Sequence, residues 1–256
     1  MNLHFITFSD GSTTRREAAL RLAAQANETG WFASEKAFHL EHLRSLSETW
    51  FLAHHKFITE NPRGLGYWIW KPFLILEILK QIPKDECLVY SDAGTEISSH
   101  GSARFQQYSE LARDHGLLAF DFQEPMHRWT KGDLLAYFGI SPVSPFLEAR
   151  QIWAGLIFVR NTPANILLIS HWAELCTARS YTLVNDATSG APNPPDFKDH
   201  RHDQSILSLL LRINPVSCIV PDESYHGHLW KQGAYLRELP FHSFRNATGT
   251  RIIPAP

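Results

Sequence analysis

The chain has 256 residues, of which 44% are hydrophobic and 20% charged, and its formal net charge is −2. A chain of this length folded as one domain buries roughly three-quarters of its unfolded surface, so it needs neither disulfides nor a structural metal to fold. The composition is that of an ordinary globular protein, and the lack of a basic excess argues against a nucleic-acid partner.

Apolar runs and helical patterns alternate along the first half of the chain, separated by turn residues. Leu3–Phe8 is a short apolar run that ends in Ser-Asp-Gly-Ser, which predicts a buried strand and a turn. Thr13 or Thr14 caps the next helix, and Gly30 follows its end. The elements predicted in this half are a strand at 3–8, a helix at 15–27, a helical region at 35–59, a helix at 72–79 and a strand at 87–90.

The second half continues the same alternation. The segment 186–199 is rich in Pro, Gly, Asn and Asp, which predicts a long loop and makes it a candidate lid. The other elements predicted here are helices at 102–115, 128–138, 164–178 and 203–211, and strands at 117–120, 151–159 and 216–220.

Strands that alternate with helices predict an α/β fold with a mostly parallel, Rossmann-like central sheet and helices on both faces. No internal repeat or linker divides the chain, so we expect a single domain over residues 1–256. Ligands of such sheets bind beyond the carboxyl ends of the strands. Asp10 and Asp92 each follow a predicted strand, so we expect both at the ligand-binding edge.

The segment Arg63–Pro72 (RGLGYWIWKP) carries the first chemical signal. Two glycines near a lysine let the backbone approach a phosphate closely, and Lys71 would supply positive charge. An acidic residue just after an apolar strand, such as Asp92, can hold a ribose hydroxyl or a metal ion on a diphosphate. Packing in the core explains the aromatic residues of this segment equally well.

Four motifs follow one another along the chain: GYWIWKP, LVYSDAG, QIWAGLIFVRN and HRHDQSILSLL. Together they resemble a group of bacterial and viral glycosyltransferases of the GT-A type, many of them associated with surface polysaccharide. The resemblance extends from the first strand to about Asn246. It implies a GT-A-like fold and transfer of a sugar from a nucleotide-sugar donor to a glycan or glycolipid acceptor, in polysaccharide or glycoconjugate biosynthesis.

The resemblance places the donor diphosphate and a metal ion at the SDAG turn. Asp92 matches the first acid of the family's DxD signature, and Gly94 stands where the second acid, usually a metal ligand, would be. Glu96 is a candidate substitute, and His226 is a further candidate because some GT-A enzymes use a late histidine. The resemblance therefore implies Mn²⁺ or Mg²⁺ held by few protein ligands. Gly94 leaves open a metal-independent reaction, in which other cations stabilise the leaving group.

The resemblance also implies that the Ala-Gly step of the QIWAG segment lies close to the donor sugar, where Ala154 and Gly155 would leave room for a pyranose ring. Close packing of a strand against a helix explains Gly155 equally well. The full set of predicted donor-binding residues is Ser9, Asp10, Lys71, Asp92, Ala93, Gly94, Ala154 and Gly155.

The motif HRHDQS opens an apolar helix. Helix capping explains one short polar residue there, but not the His-Arg-His before it. In the related enzymes this position faces the reacting sugar, so Asp203 is the predicted catalytic base or acceptor-orienting carboxylate, with Gln204 beside it. A helix N-terminus favours a carboxylate, which predicts a low pKa for Asp203. Trp129, Lys131 and His202 are the predicted acceptor contacts.

Two other functions fit part of the sequence. A nucleotidyltransferase usually has a basic, Gly-rich loop after its first strand, whereas Ser9–Ser12 contains one glycine. A non-catalytic nucleotide-sugar or carbohydrate-binding module is consistent with the missing acid at Gly94. Release of a nucleoside diphosphate from a nucleotide sugar would discriminate between these alternatives and the transferase.

Cys87, Cys176 and Cys218 are far apart and lack metal-binding spacing, so we expect reduced thiols. The first eight residues lack the pattern of a signal peptide, and no stretch reaches the ~18 apolar residues of a membrane span. We therefore expect a cytoplasmic protein, with peripheral membrane association left open.

Overall fold

The fold is organised around a six-stranded mixed sheet. The computed structural model describes residues 1–214, 217–224 and 238–254. The strands of this sheet lie in the order β2-β1-β3-β6-β5-β7. They are β1 (Leu3–Ser9), β2 (Ser34–His39), β3 (Cys87–Ser91), β5 (Leu117–Pro125), β6 (Arg150–Arg160) and β7 (Cys218–Pro221). A separate two-stranded sheet pairs β4 (Thr95–Ile97) with β8 (Phe241–Ser243).

One strand of the large sheet runs against the others. β1 pairs in parallel with β2 and β3, and β5 pairs in parallel with β7. β6 lies between β3 and β5 and is antiparallel to both. Five of the six strands therefore share one direction, which confirms the predicted mostly parallel sheet. The carboxyl ends of the neighbouring strands β1 and β3 bring Asp10 and Asp92 to the same edge.

Helices cover both faces of the sheet. In the described residues they are α1 (Thr13–Thr29), α2 (Leu40–Leu46), α3 (Glu48–Glu60), α4 (Gly64–Tyr67), α5 (Trp70–Leu79), α6 (Ser102–His115), α7 (Gly132–Tyr137), α8 (Pro163–Thr177) and α9 (His202–Ile213). Leu22 of α1 and Phe105 of α6 belong to one hydrophobic core, and side chains of α5, α8 and α9 belong to the other. In β1, Phe5 lies in the first core and Ile6 in the second, as the two-residue period of a strand requires. None of the helices in the described part of the chain has the length and apolarity needed to cross a bilayer.

Most predicted elements are confirmed to within a few residues, but two predictions were wrong. Residues 35–39, predicted as helical, belong to strand β2, because pairing with β1 outweighs the helix propensity of Glu35 and Ala37. Residues 128–138, predicted as one helix, contain a 3₁₀ turn that ends at Arg128 and the short helix α7. Strands β4 and β8 were not predicted, since each has only three residues.

The backbone of α4 and the residue after it is left-handed. The residues from Gly64 to Trp68 have φ values between 54° and 78°, a conformation that residues other than glycine rarely adopt. Two features accompany it. Trp70 Nε1 donates a hydrogen bond to the Gly64 carbonyl (3.0 Å), and a Cβ at Gly66 would lie 2.9 Å from Ile58 Cα. Trp68 therefore leaves this turn in a fixed direction.

Strand β6 carries a bulge where it faces β5. Ala119 pairs with Ile157, but the next residue, Phe120, pairs with Trp153. Residues 154–156 are thus extra residues on the β6 side of this ladder. Bulges commonly re-aim the chain beside a functional site, and here the carbonyls of Ala154 and Gly155 accept hydrogen bonds from Lys71 Nζ and from the Asp92 N–H.

Candidate functional site

A cavity of about 890 Å³ opens at the edge of the sheet where β1 and β3 end. Three carboxylates face it, those of Asp10, Asp92 and Glu124. Its wall also includes aromatic rings and guanidinium groups, namely Phe8, Trp68, Trp70, Tyr90, Phe122, Trp129, Trp153, Arg15, Arg63, Arg201 and Arg245. Cavities of this volume hold ligands of the size of a nucleotide sugar. Aromatic planes, carboxylates and guanidinium groups are suited to rings, hydroxyls and phosphates respectively.

Asp92 is held from behind and faces this cavity. Its side chain is 40% exposed, although it follows a fully buried strand. Tyr90 Oη donates a hydrogen bond to Asp92 Oδ1 (2.6 Å), and Lys71 Nζ lies 3.1 Å from the same oxygen. The Asp92 backbone N–H donates to the Gly155 carbonyl (2.9 Å). The predicted position of Asp92 at the cavity edge is what the structure shows.

Lys71 is buried beneath Asp92 and does not line the cavity. Its Nζ lies 3.7 Å from Asp203 Oδ2 and donates a hydrogen bond to the Ala154 carbonyl (3.2 Å). Burial by itself would lower the pKa of Lys71, but the two carboxylates raise it, so the ammonium stays charged. Contact with a donor phosphate, which we predicted for Lys71, does not fit this buried position.

Asp203 differs from its prediction in exposure and in pKa. It is the second residue of α9, yet only 3% of the residue is exposed. Burial raises the pKa of Asp203 to about 7, although attraction to Lys71 opposes the shift. The predicted low pKa was wrong because the loss of water outweighs the helix N-terminus. Asp203 lies behind the cavity wall, so the predicted direct contact with an acceptor does not fit the structure either.

Gln204 does lie on the cavity wall, and its side-chain amide is fixed at both ends. Gln204 Nε2 donates to Gln151 Oε1 (2.8 Å), and Gln204 Oε1 accepts from the Ala154 N–H (3.3 Å). Ala154 and Gly155 themselves lie behind the wall. A Cβ at Gly155 would lie 2.4 Å from the Trp153 ring, so the indole fills the space that we assigned to a sugar. Ala154 and Gly155 contact the site through their backbone groups. Their predicted role, to leave room for a sugar ring, was therefore wrong.

Glu96, predicted as a substitute metal ligand, is fully buried behind the SDAG turn. Its carboxylate pairs with Arg21 Nη1 (2.6 Å) and accepts hydrogen bonds from Asn246 Nδ2 (2.7 Å) and from the N–H groups of residues 252 and 253. Arg21 also donates to the Ala93 carbonyl (2.8 Å). The metal-ligand prediction for Glu96 was wrong, because its oxygens are engaged in holding the turn and the C-terminal segment together.

Gly94 has a packing reason to lack a side chain. A Cβ on it would lie 3.0 Å from Arg245 Cα, closer than ordinary contacts allow. The Asn246 N–H donates to the Gly94 carbonyl (3.0 Å). Arg245 itself has a left-handed backbone, with φ of 54°. The C-terminal segment therefore crosses the turn where a side chain at position 94 would project.

The described residues do not fit a protein-built site for a divalent cation. Within residues 1–214, 217–224 and 238–254, no group of three or more His, Cys, Asp or Glu side chains is arranged to hold a metal ion. Asp92 remains as a predicted ligand, with Oδ1 already contacting Lys71. Mg²⁺ and Mn²⁺ prefer several oxygen ligands. His226, the other predicted ligand, lies outside the described residues.

Trp129 lines the cavity as predicted for an acceptor contact. Its Nε1 donates to Glu124 Oε2 (3.3 Å), and the Arg201 guanidinium lies 4.3 Å from the centre of the indole ring. Glu124 was not predicted. The strand pattern was followed only to Phe120, whereas β5 extends to Pro125. Phe122 and Glu124, two residues apart, both reach the cavity, and this two-residue spacing is the signal that could have identified them.

Lys131 and His202, the other two predicted acceptor contacts, are buried away from the cavity. Lys131 Nζ donates to Asn185 Oδ1 (3.0 Å), and His202 Nδ1 bonds the Val184 carbonyl (2.7 Å). Burial lowers the pKa of His202 to about 4, so this imidazole is neutral at pH 7. Both predictions were wrong because these side chains anchor the chain just before the 186–199 loop.

The 186–199 loop is attached to the cavity rim through Arg63. Its guanidinium lies 3.1 Å from Asp186 Oδ1 and 2.7 Å from Asp199 Oδ2, so it joins the two ends of the loop. Asp133 Oδ1 accepts the N–H groups of Gly190 (2.8 Å) and Ala191 (3.0 Å) in its middle. The loop predicted from composition is confirmed, and opening it as a lid would require breaking these ion pairs.

No protein-family model matches the chain, and no curated protein has a detectably similar sequence. Solved structures with a similar fold exist. A glycosyltransferase involved in the glycosylation of the major capsid of PBCV-1 aligns over 94% of this chain and 92% of its own, with a TM-score of 0.51 and 8% identity. Mouse xyloside xylosyltransferase 1 aligns over 94% of this chain and 96% of its own, with a TM-score of 0.48 and 11% identity. Galactosyltransferase LgtC, in complex with donor and acceptor sugar analogues, aligns over 100% of this chain and 85% of its own, with a TM-score of 0.42 and 13% identity. The first of these likenesses supports the predicted GT-A-like fold.

Proposed function

We propose that the chain is a glycosyltransferase that moves a sugar from a nucleoside diphosphate sugar to a hydroxyl group of a glycan or glycolipid. The observation that carries this proposal is the cavity of about 890 Å³ beyond the carboxyl ends of β1 and β3. Ligands of α/β sheets bind at this edge. The fold shared with a glycosyltransferase supports the same reaction class. We place the activity in the cytoplasm, in polysaccharide or glycoconjugate synthesis, with peripheral association at a membrane where the acceptor is a glycolipid.

The donor is proposed to lie between the end of β1 and the SDAG turn. Ser9, Asp10, Ala93 and Gly94 line this side of the cavity together with Asp92. Since Tyr90 and Lys71 fix one oxygen of the Asp92 carboxylate, its orientation toward a bound hydroxyl is set before the ligand arrives. Such preorganisation reduces the cost of binding.

The acceptor is proposed to lie against Trp129, Glu124 and Gln204. The indole offers an apolar plane for a sugar ring, and Gln204 offers an amide already held in one orientation. The side chain of Glu124 is 46% exposed and is held by Arg128 Nη1, 2.9 Å from its Oε2. A carboxylate fixed on one side and exposed on the other is suited to orient an acceptor hydroxyl.

In the proposed transfer, a bond forms between the acceptor oxygen and the anomeric carbon while the bond from that carbon to the diphosphate breaks. The hydroxyl proton passes to a cavity carboxylate, for which Glu124 is the candidate. Asp203 cannot accept the proton of the acceptor hydroxyl, because it is buried behind the cavity wall. It is instead a positioning residue, because it holds Lys71, which in turn holds Asp92.

The proposal is tested by incubating the full chain with a panel of nucleotide sugars and measuring the nucleoside diphosphate released. Release with at least one donor supports it. Binding without turnover would favour a binding module, and pyrophosphate release from a nucleoside triphosphate and a sugar phosphate would favour a nucleotidyltransferase. Both outcomes contradict the proposal.

Two substitutions test which side of the cavity binds the donor and which side binds the acceptor. Asp92→Ala is expected to abolish calorimetric binding of the nucleoside diphosphate, whereas Asp114→Ala, at an exposed position of α6, serves as the matched control. Glu124→Gln keeps the shape and the Trp129 contact but removes the base, so transfer should fall ~10²–10⁴-fold with donor affinity retained. Normal donor affinity in a folded Asp92→Ala variant would refute the donor placement.

A further inference from the structure

The turn after β3 has no space for the second acid of a metal-binding pair. The direction in which a side chain at position 94 would project is filled by the backbone of Arg245, with the nearest atom 3.0 Å from the Cβ position. The segment cannot easily move aside. Asn246 is bonded to Gly94, to Glu96 and to Arg21, and Glu96 holds residues 252 and 253 as well.

The first acid of the pair already has a cation beside it. Lys71 Nζ is buried 3.1 Å from Asp92 Oδ1, and it also pairs with Asp203. A divalent ion bound to Asp92 would lie within a few ångströms of this ammonium group. Like charges at such distances repel, and the burial of the ammonium group weakens the screening of this repulsion by water. Asp92 is therefore a poor anchor for a metal ion.

The segment that excludes the second acid brings a cation of its own to the same place. Arg245 lines the cavity next to the SDAG turn, and Arg15, at the start of α1, lines it on the side of Asp10. Arg15 Nη1 lies 2.8 Å from Asp10 Oδ2, which holds the guanidinium at the end of β1. The backbone of Arg245 is left-handed, which is unusual for arginine, and the N–H of the next residue, Asn246, donates to the Gly94 carbonyl.

We infer that the diphosphate of the donor is bound by the guanidinium groups of Arg15 and Arg245 in place of a divalent cation. This inference rests on the proposed function, because it concerns the donor of that reaction. Guanidinium groups bind phosphate oxygens through paired, charge-assisted hydrogen bonds. They also neutralise the charge that develops on the leaving diphosphate, which is the chemistry that a metal ion supplies elsewhere.

The test is calorimetric titration of the full chain with UDP, GDP, ADP, CDP and dTDP, in EDTA and then in excess Mn²⁺. At least one nucleoside diphosphate should bind in EDTA, with an affinity that Mn²⁺ changes by less than about threefold. Arg245→Gln and Arg15→Gln should each weaken binding roughly tenfold to a hundredfold, the effect of losing a charged hydrogen bond. Arg16→Gln, which removes a charge from the exposed neighbour of Arg15, is the matched control and should leave binding unchanged.

The outcomes separate this inference from the proposed function. If a nucleoside diphosphate binds only with Mn²⁺, or binds the two arginine variants as tightly as the parent chain, the inference is overturned and the proposed function stands. If none of the five binds under either condition, the proposed function fails and the inference fails with it. Circular dichroism of each variant establishes that it is folded before titration.

Discussion

Two groups of polar side chains adjoin the SDAG turn, and they differ in their exposure to the cavity. The rear cluster consists of Arg21, Glu96 and Asn246, and the floor cluster consists of Lys71, Tyr90, Asp92 and Asp203. In the rear cluster, Glu96 has an ion pair and several hydrogen bonds, and the cluster is closed to the cavity. In the floor cluster, Asp203 Oδ2 lacks a hydrogen-bond partner among the described residues, and Asp92 is open to the cavity.

The difference shows how one turn can be both rigid and reactive. A buried carboxylate that accepts several hydrogen bonds fixes the backbone around it. A buried carboxylate without them keeps a raised pKa and can gain or lose a proton near neutral pH, as Asp203 does at a pKa of about 7. The rear cluster therefore contributes stability, and the floor cluster contributes adjustable charge beneath the cavity.

The largest effect is expected from Glu96→Leu in the rear cluster. This change leaves the Arg21 guanidinium buried without its counter-charge, and a guanidinium cannot release its proton. Breaking a buried ion pair in this way costs about 3–5 kcal/mol. Urea denaturation should show a loss of that size, whereas Glu48→Gln, in an exposed pair with Arg44, should cost less than about 1 kcal/mol. Equal losses in the two variants would contradict the distinction between the clusters.

A smaller loss is expected from Lys71→Met in the floor cluster. The change leaves Asp92 and Asp203 without their shared cation, but Asp203 can respond by staying protonated and Asp92 is partly solvated. We expect a loss of about 2–3 kcal/mol at pH 6, because part of the penalty for breaking a buried pair is avoided. The loss should grow at pH 8, where protonating Asp203 is more costly. A loss independent of pH between these values would show that Asp203 does not respond.

The third expectation concerns the pH dependence of stability in Asp203→Asn. Because burial raises the pKa of Asp203 from 3.8 to about 7, the folded chain keeps this proton between those values while the unfolded chain releases it. The contribution is fully present below pH 3.8 and is lost as the pH rises through 7. Asparagine does not titrate. The variant should therefore gain roughly 2–3 kcal/mol relative to the parent between pH 5 and pH 8, measured by urea unfolding, since each pH unit from 5 to 7 costs the parent about 1.4 kcal/mol. Parallel pH profiles would contradict the raised pKa.

The smallest effect is expected from Tyr90→Phe. The change removes one hydrogen bond to Asp92 Oδ1 and leaves the contact with Lys71 in place. Its net cost should be about 0.5–1.5 kcal/mol. The affinity for a nucleoside diphosphate should fall only a few-fold, because Lys71 still orients the carboxylate. Loss of binding comparable to that of Asp92→Ala would make Tyr90, and not Lys71, the main support of Asp92.

The fold was largely predictable because its signals are local. The apolar runs of β1, β3 and β6 are continuous, as expected for strands buried on both faces, and turn residues punctuate them. Strand β2 was missed because only one of its six residues is buried, so it lacks that apolar signal. The carboxyl-end rule then placed Asp10 and Asp92 correctly at one edge of the sheet.

The site was less predictable because burial is not a local property. Lys71, Lys131, His202 and Asp203 are polar residues that sequence logic assigns to a ligand, yet all four are buried behind the wall. What buries them is the packing of segments that are distant in sequence. Arg21 gave no signal at all, since its partner Glu96 lies 75 positions further along the chain.

The crossing of the SDAG turn by the C-terminal segment also determines at which stage of chain synthesis the turn is completed. The bonds from Glu96 to the N–H groups of Ile252 and Ile253 join positions 156 and 157 residues apart. A chain synthesised from its N-terminus can pair β1 with β3 early, but the SDAG turn stays without its covering segment until residues 245–253 emerge. If Arg245 binds the donor diphosphate as we infer, a partial chain cannot bind the donor fully until synthesis of the covering segment is complete.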